Sequence, residues 1–378
     1  AGFRFPAFLV FLGALLYWLI GRCSTRPPKY RTRKRIKALE RRIDVTAAAA
    51  GLEYSDCYLQ DNDARFVFNF VRTAMNYGAI AANYVSLAGA KRRNGIWEVS
   101  AKDEIDGRRI SIRCKALVNA AGAYVDKVNE LIGQRTDHHH VYSKGVHLIV
   151  DKLVDSSRIL AFFASDGRLF FVIPMGAKTC IGTTDTRVET PQTEITQEDR
   201  QFVLDNINTV MDLPEPLTVA DIIAERCGVR PLVVEGDEGE GDWLALSRKH
   251  AIDVNAADCC LSVFGGKLTD CLHVGAEVAA ALERCGIDFP FAQQRWYGEP
   301  PDAVRDEFFH QAELMQLDAM TDELASEPLS QRLWRRYGLN AIELLDQIRR
   351  DPRQGDILIQ NSEYVRCELH YVAEKEMV

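Results

Sequence analysis

Residues 259–286 read CCLSVFGGKLTDCLHVGAEVAAALERCG. An apolar run suited to a buried strand meets two consecutive glycines and then a helix-forming stretch. Residues 115–133, KALVNAAGAYVDKVNELIG, repeat that order of buried strand, small-residue turn and helix. The succession predicts an α/β domain of the nucleotide-binding kind.

The block between these stretches, from about Tyr142 to Leu246, is strand-rich: 143–153 (SKGVHLIVDKL), 158–176 (RILAFFASDGRLFFVIPMG), 178–186 (KTCIGTTDT) and 225–234 (ERCGVRPLVV), followed by 243–254 (WLALSRKHAIDV). One helix interrupts it, opened by Thr196 with Asp199 three residues on, which approximates a capping box. An antiparallel sheet with an inserted helix is predicted. On the N-terminal side, 55–59 (SDCYL) predicts a short strand, 60–63 (QDND) a polar turn, and the run with Phe66, Phe68, Phe70 and Val71 a helix. Residues 78–90 read as strand, and Asn94-Gly95 and Asp106-Gly107 supply hairpin turns within 92–114. From Pro300 onward the chain reads as helical, in stretches such as 306–320 and 330–352. The fold class is therefore α/β plus α+β, with a C-terminal helical part and no internal repeat.

At 378 residues the chain has room for two or three domains. Apolar residues at 47% and charged residues at 26% exclude a disordered, collagenous or polytopic membrane protein. A net charge of -8 gives no whole-chain support for nucleic-acid binding. Ten cysteines without a C-x-x-C pair suggest neither a zinc ribbon nor a small disulfide framework. They are expected to be reduced and mostly buried, in a reducing compartment, with Cys259 and Cys260 packed in the core.

Residues 5–21, FPAFLVFLGALLYWLIG, carry no charge, and 24–42, STRPPKYRTRKRIKALERR, are strongly basic. The apolar run is at the short limit for a bilayer span, which needs about 17 to 25 residues. Three readings stay open: a signal-anchor, an interfacial helix held against anionic lipid by the basic residues, and a buried core helix. The order of charge and apolar core is wrong for a cleaved signal peptide.

The strongest local chemistry is Phe264-Gly265-Gly266-Lys267-Leu268-Thr269, where strand hands over to helix. Glycines allow close backbone approach, the helix N-terminus offers N–H groups and a positive dipole, and Lys267 adds a charge. Phosphate or the anionic edge of a reduced flavin would suit it; the spacing is not that of a Walker loop. Arg230 in GVRPL and Arg248 in ALSRKH adjoin predicted strands, and paired guanidinium groups at strand ends bind phosphate or carboxylate. His147 alternates with apolar neighbours and is a candidate proton acceptor. His138-His139-His140 reads as a polar loop, since adjacent ligands do not converge on a metal. No Ser-His-Asp arrangement and no metal motif is visible.

In this order, VNAAGAYVD, SKGVHLIV, RLFFVIPMG, IGTTDT, GVRPLV, ALSRKHAI and LSVFGGKLT resemble the FAD-dependent, quinone-linked glycerol-3-phosphate dehydrogenases over nearly the whole chain. The resemblance implies a flavin-binding α/β domain shared by 51–135 and 245–296, a sheet-based substrate domain at 136–244 and a helical domain at 297–378. Residues 1–50 would form a helical, basic, membrane-facing part. It implies oxidation of sn-glycerol 3-phosphate to dihydroxyacetone phosphate by hydride transfer to FAD, with electrons passed to quinone. The setting would be peripheral, on the cytoplasmic face of the inner membrane, with a homodimer as a compatible assembly.

Carried onto this sequence, the resemblance puts Lys267, Leu268 and Thr269, with Gly265 and Gly266, along the flavin, and Ala121 with Gly122 in a turn near it. Arg230, Arg248 and His147 would line the substrate site, with His147 as base and Lys267 countering charge on the reduced flavin. The family's first G-x-G-x-x-G unit is missing before Asn119, and its closing basic helix after Val378. The expectation is a fragment of a longer enzyme that binds FAD poorly. GGKLTDC also departs from the commoner GGKLTTYR. The alternatives are a related flavin-dependent oxidase and an inactive relative serving as a scaffold.

Overall fold

The computed structural model describes residues 7–46, 48, 50–57, 59, 62–236, 249–292, 300–323, 325, 327–359 and 363–376. The chain divides into two compact units, one of 1–57, 86–102 and 107–288, the other of 58–85, 103–106 and 289–378.

In chain order, the elements begin with α1 (Ala7–Ile20), β1 (Lys29–Arg31), α2 (Arg33–Leu39), β2 (Gly51–Glu53) and α3 (Asp63–Asn76). β1 and β2 pair antiparallel, with Tyr30 opposite Leu52. The strand expected at 55–59 therefore lies earlier, where Leu52 finds a partner, and residues 54–57 have no regular structure. Of the three readings open for residues 5–21, the buried core helix is the one α1 does not match, since none of its side chains is buried. Among the described residues, no helix is long and apolar enough to cross a membrane.

A three-stranded meander follows, β3 (Val85–Arg93), β4 (Ile96–Asp103) and β5 (Arg109–Cys114). Asn94 and Gly95, both left-handed at φ 50° and 77°, make its first turn, as a two-residue hairpin demands. The expected strand at 78–90 begins only at Val85.

Next come β6 (Leu117–Asn119), α4 (Val125–Ile132), β7 (His138–Asp151), β8 (Leu160–Phe163), β9 (Leu169–Met175), β10 (Lys178–Gly182), β11 (Thr186–Val188), α5 (Gln197–Val210) and β12 (Ala224–Glu235). β7 is the spine of an antiparallel sheet. It pairs β12 along one edge, and β11 and then β10 along the other, with β9 and β8 beyond β10. Strand side chains alternate between faces. Val146, Leu148 and Val150 pack against Val203, Leu204 and Ile207 of α5 in the main core. The opposite face of β7 carries Ser143, Gly145 and His147. α5 opens with the capping box that Thr196 and Asp199 announce, and Asp199 also takes Lys144 of β7 in a buried ion pair at 2.5 Å. Burial works to raise the Asp199 carboxyl, but Lys144 and the Thr196 hydrogen bonds outweigh it and hold it below its ordinary value.

His138 to His140 do not form a loop; they open β7, with His138 opposite Glu235 and His140 opposite Val233. Polar residues are tolerated here because partners sit inside: His138 meets Asp253, and His140 meets Asp126.

β13 (His250–Asn255) and β14 (Cys260–Gly265) pair antiparallel, β14 runs parallel to β6, and α6 (Cys271–Arg284) follows. All ten cysteines are free, but only Cys180, Cys260 and Cys367 are buried; Cys259 lies in the turn before β14 at φ 47°, not in the core.

The second unit is helical: α3 with α7 (Asp302–Leu314), α8 (Leu329–Tyr337), α9 (Ala341–Arg350) and α10 (Arg366–Lys375). Its core gathers Phe308, Leu333, Trp334, Leu344, Ile348 and Tyr371. Inside it Arg332 grips Glu368 with two hydrogen bonds of 2.7 and 2.6 Å, and Tyr337 donates to the same carboxylate at 2.9 Å. Removing one partner of such a pair strands the other charge. Glu368→Ala is expected to destabilise this unit by about 3–5 kcal/mol in denaturant unfolding, and a loss near zero would show that the pair is solvated.

Candidate active site

The register of β7 and β12 sets Arg230 opposite Ser143, Gly228 opposite Gly145 and Arg226 opposite His147. Directly opposed residues share a face, so both arginines and the histidine gather on the side away from α5. Gly145 has a specific job there. A Cβ on it would come within 2.6 to 2.8 Å of the Arg230 guanidinium, so that group lies against bare backbone. Arg230 Nη2 donates to Thr183 Oγ1 at 3.3 Å. On the other edge, Gly182 pairs with His147 at φ 149°, and a Cβ there would reach 2.9 Å from the imidazole Cδ2. Two glycines thus clear space for a guanidinium and an imidazole.

His147 is half-buried, and its pKa lies below the ordinary imidazole value. Burial is the first cause, and the positive charges of Arg230 and Arg226 follow. The ring is therefore neutral near neutral pH and open to accept a proton. Arg230 sits inside β12 and not at a strand end; cross-strand register brings it to the histidine. Arg248 lies outside the described residues.

The second cluster stands at the end of β14. Parallel pairing of β6 and β14 sets Asn119 opposite Ser262. Asn119 Nδ2 donates to Val125 O at 2.9 Å and Asn129 Oδ1 at 2.7 Å, Ser262 Oγ donates to Asn129 Oδ1 at 2.8 Å, and Ala121 N donates to Asn119 Oδ1 at 3.3 Å. This buried polar knot fixes the turn of Ala121 and Gly122, the latter left-handed at φ 57°. Gly265 and Gly266 are left-handed too, and a Cβ on Gly265 would meet Val233 Cγ2 at 2.2 Å. Lys267 caps a short 3-10 turn, Leu268–Asp270, that leads into α6. Thr269 lies within that turn.

No side chain caps α6. Its Asp270 instead bonds His250 at 2.5 Å and His273 at 3.0 Å, while His250 also meets Glu277 at 3.1 Å. Burial works against charge on His250, but the carboxylates of Glu277 and Asp270 raise its pKa. Among the described residues no three potential ligands converge as a metal site.

His140, assigned to a loop by the sequence reading, occupies the space between the two turns. Its Nδ1 lies 2.8 Å from Asp126 Oδ2, and its Nε2 accepts the Gly265 N–H at 3.1 Å. Residues 138–145, HHHVYSKG, show no regular polar–apolar alternation, and pairing with β12 makes this stretch a strand. Thr183 and Gly145 had no local signal, because their roles depend on neighbouring strands.

A family profile described as FAD dependent oxidoreductase matches residues 16–248. The glycerol-3-phosphate dehydrogenase of Pseudomonas aeruginosa is 28% identical over 370 residues, 93% of this chain and 67% of that protein. The glycerol-3-phosphate dehydrogenase of Mycobacterium leprae is 32% identical over 262 residues, 68% of this chain and 43% of that protein. The structure of the glycerol-3-phosphate dehydrogenase from Bacillus halodurans, complexed with FAD, matches with a TM-score of 0.69 and 26% identity, over 93% of this chain and 70% of that one. The chain therefore spans about two thirds of the first of these curated relatives and less than half of the second.

Proposed function

The chain belongs to the FAD dependent oxidoreductase family, and on that premise we propose that it serves the oxidation of sn-glycerol 3-phosphate to dihydroxyacetone phosphate, with electrons passed on to a quinone. The observation that carries this reading is the pairing of the Arg230 guanidinium and the neutral His147 on one sheet face, each beside a glycine that makes room for it.

The residues present fit a flavin. Gly122 leaves backbone uncovered in a left-handed turn, Gly265 and Gly266 bend the chain through left-handed φ just before α6, and α6 begins without a side-chain cap. In this reading Ala121, Gly122 and the run Gly265 to Thr269 hold the cofactor. Bound FAD supplies the two-electron acceptor for the substrate C–H bond. The chain's own residues do the rest. Arg230, joined by Arg248, binds the substrate phosphate through charge-assisted hydrogen bonds. His147 takes the hydroxyl proton at whichever ring nitrogen faces the substrate. Lys267 places a positive charge beside the cofactor turn, where negative charge develops.

The test uses the full-length protein. Its flavin absorption band should bleach when glycerol 3-phosphate is added without oxygen. A bound but unbleached flavin would discard the substrate, and a colourless protein would favour a scaffold. Peroxide formation in air, in place of quinone reduction, would make it an oxidase.

The quinone places the site of action at a membrane surface, which we assign to the cytoplasmic face of the inner membrane. α1 supports this: Phe8, Leu12, Leu16 and Ile20 are exposed, and exposed Arg33, Lys34 and Arg35 follow it in α2. The protein should co-sediment with anionic vesicles at low salt and release at high salt. Equal recovery with neutral vesicles would remove the electrostatic part.

A further inference from the structure

We infer that His140 is a positioning residue for the cofactor, a buried link that holds the Gly265 turn and the Gly122 turn in one arrangement. The inference rests on the flavin reading of those two turns. The His140 side chain has no exposed surface, and both ring nitrogens are engaged. A backbone N–H donates only, so the Nε2 that receives Gly265 N–H carries no proton. The ring is then the Nδ1–H tautomer and donates to Asp126.

Asp126 stands in the first turn of α4, directly after the turn that begins at Gly122. Tyr142 strengthens the same joint. Its hydroxyl donates to Ala123 O at 3.1 Å and lies 3.5 Å from Asp126 Oδ2. Phe264, the residue before the glycine pair, packs its ring on His140 with centroids 5.1 Å apart. One imidazole therefore connects the strand-turn-helix of 117–132 to that of 260–284, at the two turns to which the cofactor reading assigns the flavin. No residue with a Cβ fits at position 265 without displacing Val233, whose side chain fills that space.

The experiment compares the full-length protein with His140→Phe, which keeps a ring and removes both hydrogen bonds, and His140→Gln, whose amide restores an acceptor for Gly265 N–H. Two readouts are taken: FAD affinity by fluorescence after deflavination, and hydrogen exchange of the peptide containing Gly265 in the FAD-free protein. His140→Phe is expected to weaken FAD about tenfold to a hundredfold and to speed exchange at Gly265, and His140→Gln to recover most of both. Unchanged FAD affinity in His140→Phe, or a glutamine variant no better than phenylalanine, would overturn the inference. Neither readout uses the substrate, so failure of glycerol 3-phosphate to bleach the wild-type flavin would strike the proposed reaction and leave this result standing.

Discussion

Arg230→Ala is expected to raise KM for glycerol 3-phosphate about a hundredfold or more while kcat changes little. A hydrogen bond to a charged group contributes about 1.5–3 kcal/mol, and a guanidinium can make two to one phosphate. At about 1.4 kcal/mol per tenfold, the loss of both exceeds a hundredfold. Arg230→Lys keeps the charge and loses the fork, so it should recover only part. Gly145→Ala offers an independent check, because the new Cβ would come within 2.6 Å of the guanidinium and displace it. It should mimic the alanine variant although it removes no charge. Steady-state kinetics on the three variants decides the matter, and an unchanged KM in Arg230→Ala would remove that residue from the phosphate site.

His147→Asn should act on the other kinetic constant, lowering kcat by about a hundredfold to ten-thousandfold with a modest effect on KM. The pH profile supplies the sign. A base works only unprotonated, so activity falls as pH drops through its pKa. Burial and the two arginines hold His147 below its ordinary value, so the wild type should keep full kcat/KM at neutral pH and lose it only in more acid solution. That acid limb should vanish in His147→Asn. In Arg230→Ala it should move to higher pH, since one of the positive charges depressing the imidazole is gone. A kcat loss below about tenfold, with the acid limb intact, would assign proton acceptance to another group.

Much of this was legible from residue order. The capping box at Thr196, the Asn94-Gly95 turn and the strand-glycine-helix passages at 115–133 and 259–286 are local patterns, and local patterns survive folding. What escaped depends on partners distant in the chain. His140 looks like a loop residue until Asp126 and Gly265 are seen on either side of it. Arg230 looks like a strand-end residue until its register with Ser143 places it beside Gly145. α1 stayed open among three readings for another reason. A run apolar on every side gives no face to orient, and only the structure shows Phe8 and Ile20 at 69% and 74% exposure.

The place of β7 between two distant partners also sets an order of events during translation. β8, β9 and β10 form hairpins among near neighbours, and β12 closes the sheet on β7 once residue 235 has left the ribosome. β6 must still wait, because Leu117 pairs with Cys260, which has not yet been made. The polar knot of Asn119, Asn129 and Ser262 therefore forms only after β7 and β12 have been made. A nascent chain that has emerged only as far as residue 235 would display the sheet face of Arg230 and His147 with no more than the Asn119 and Asn129 half of that knot.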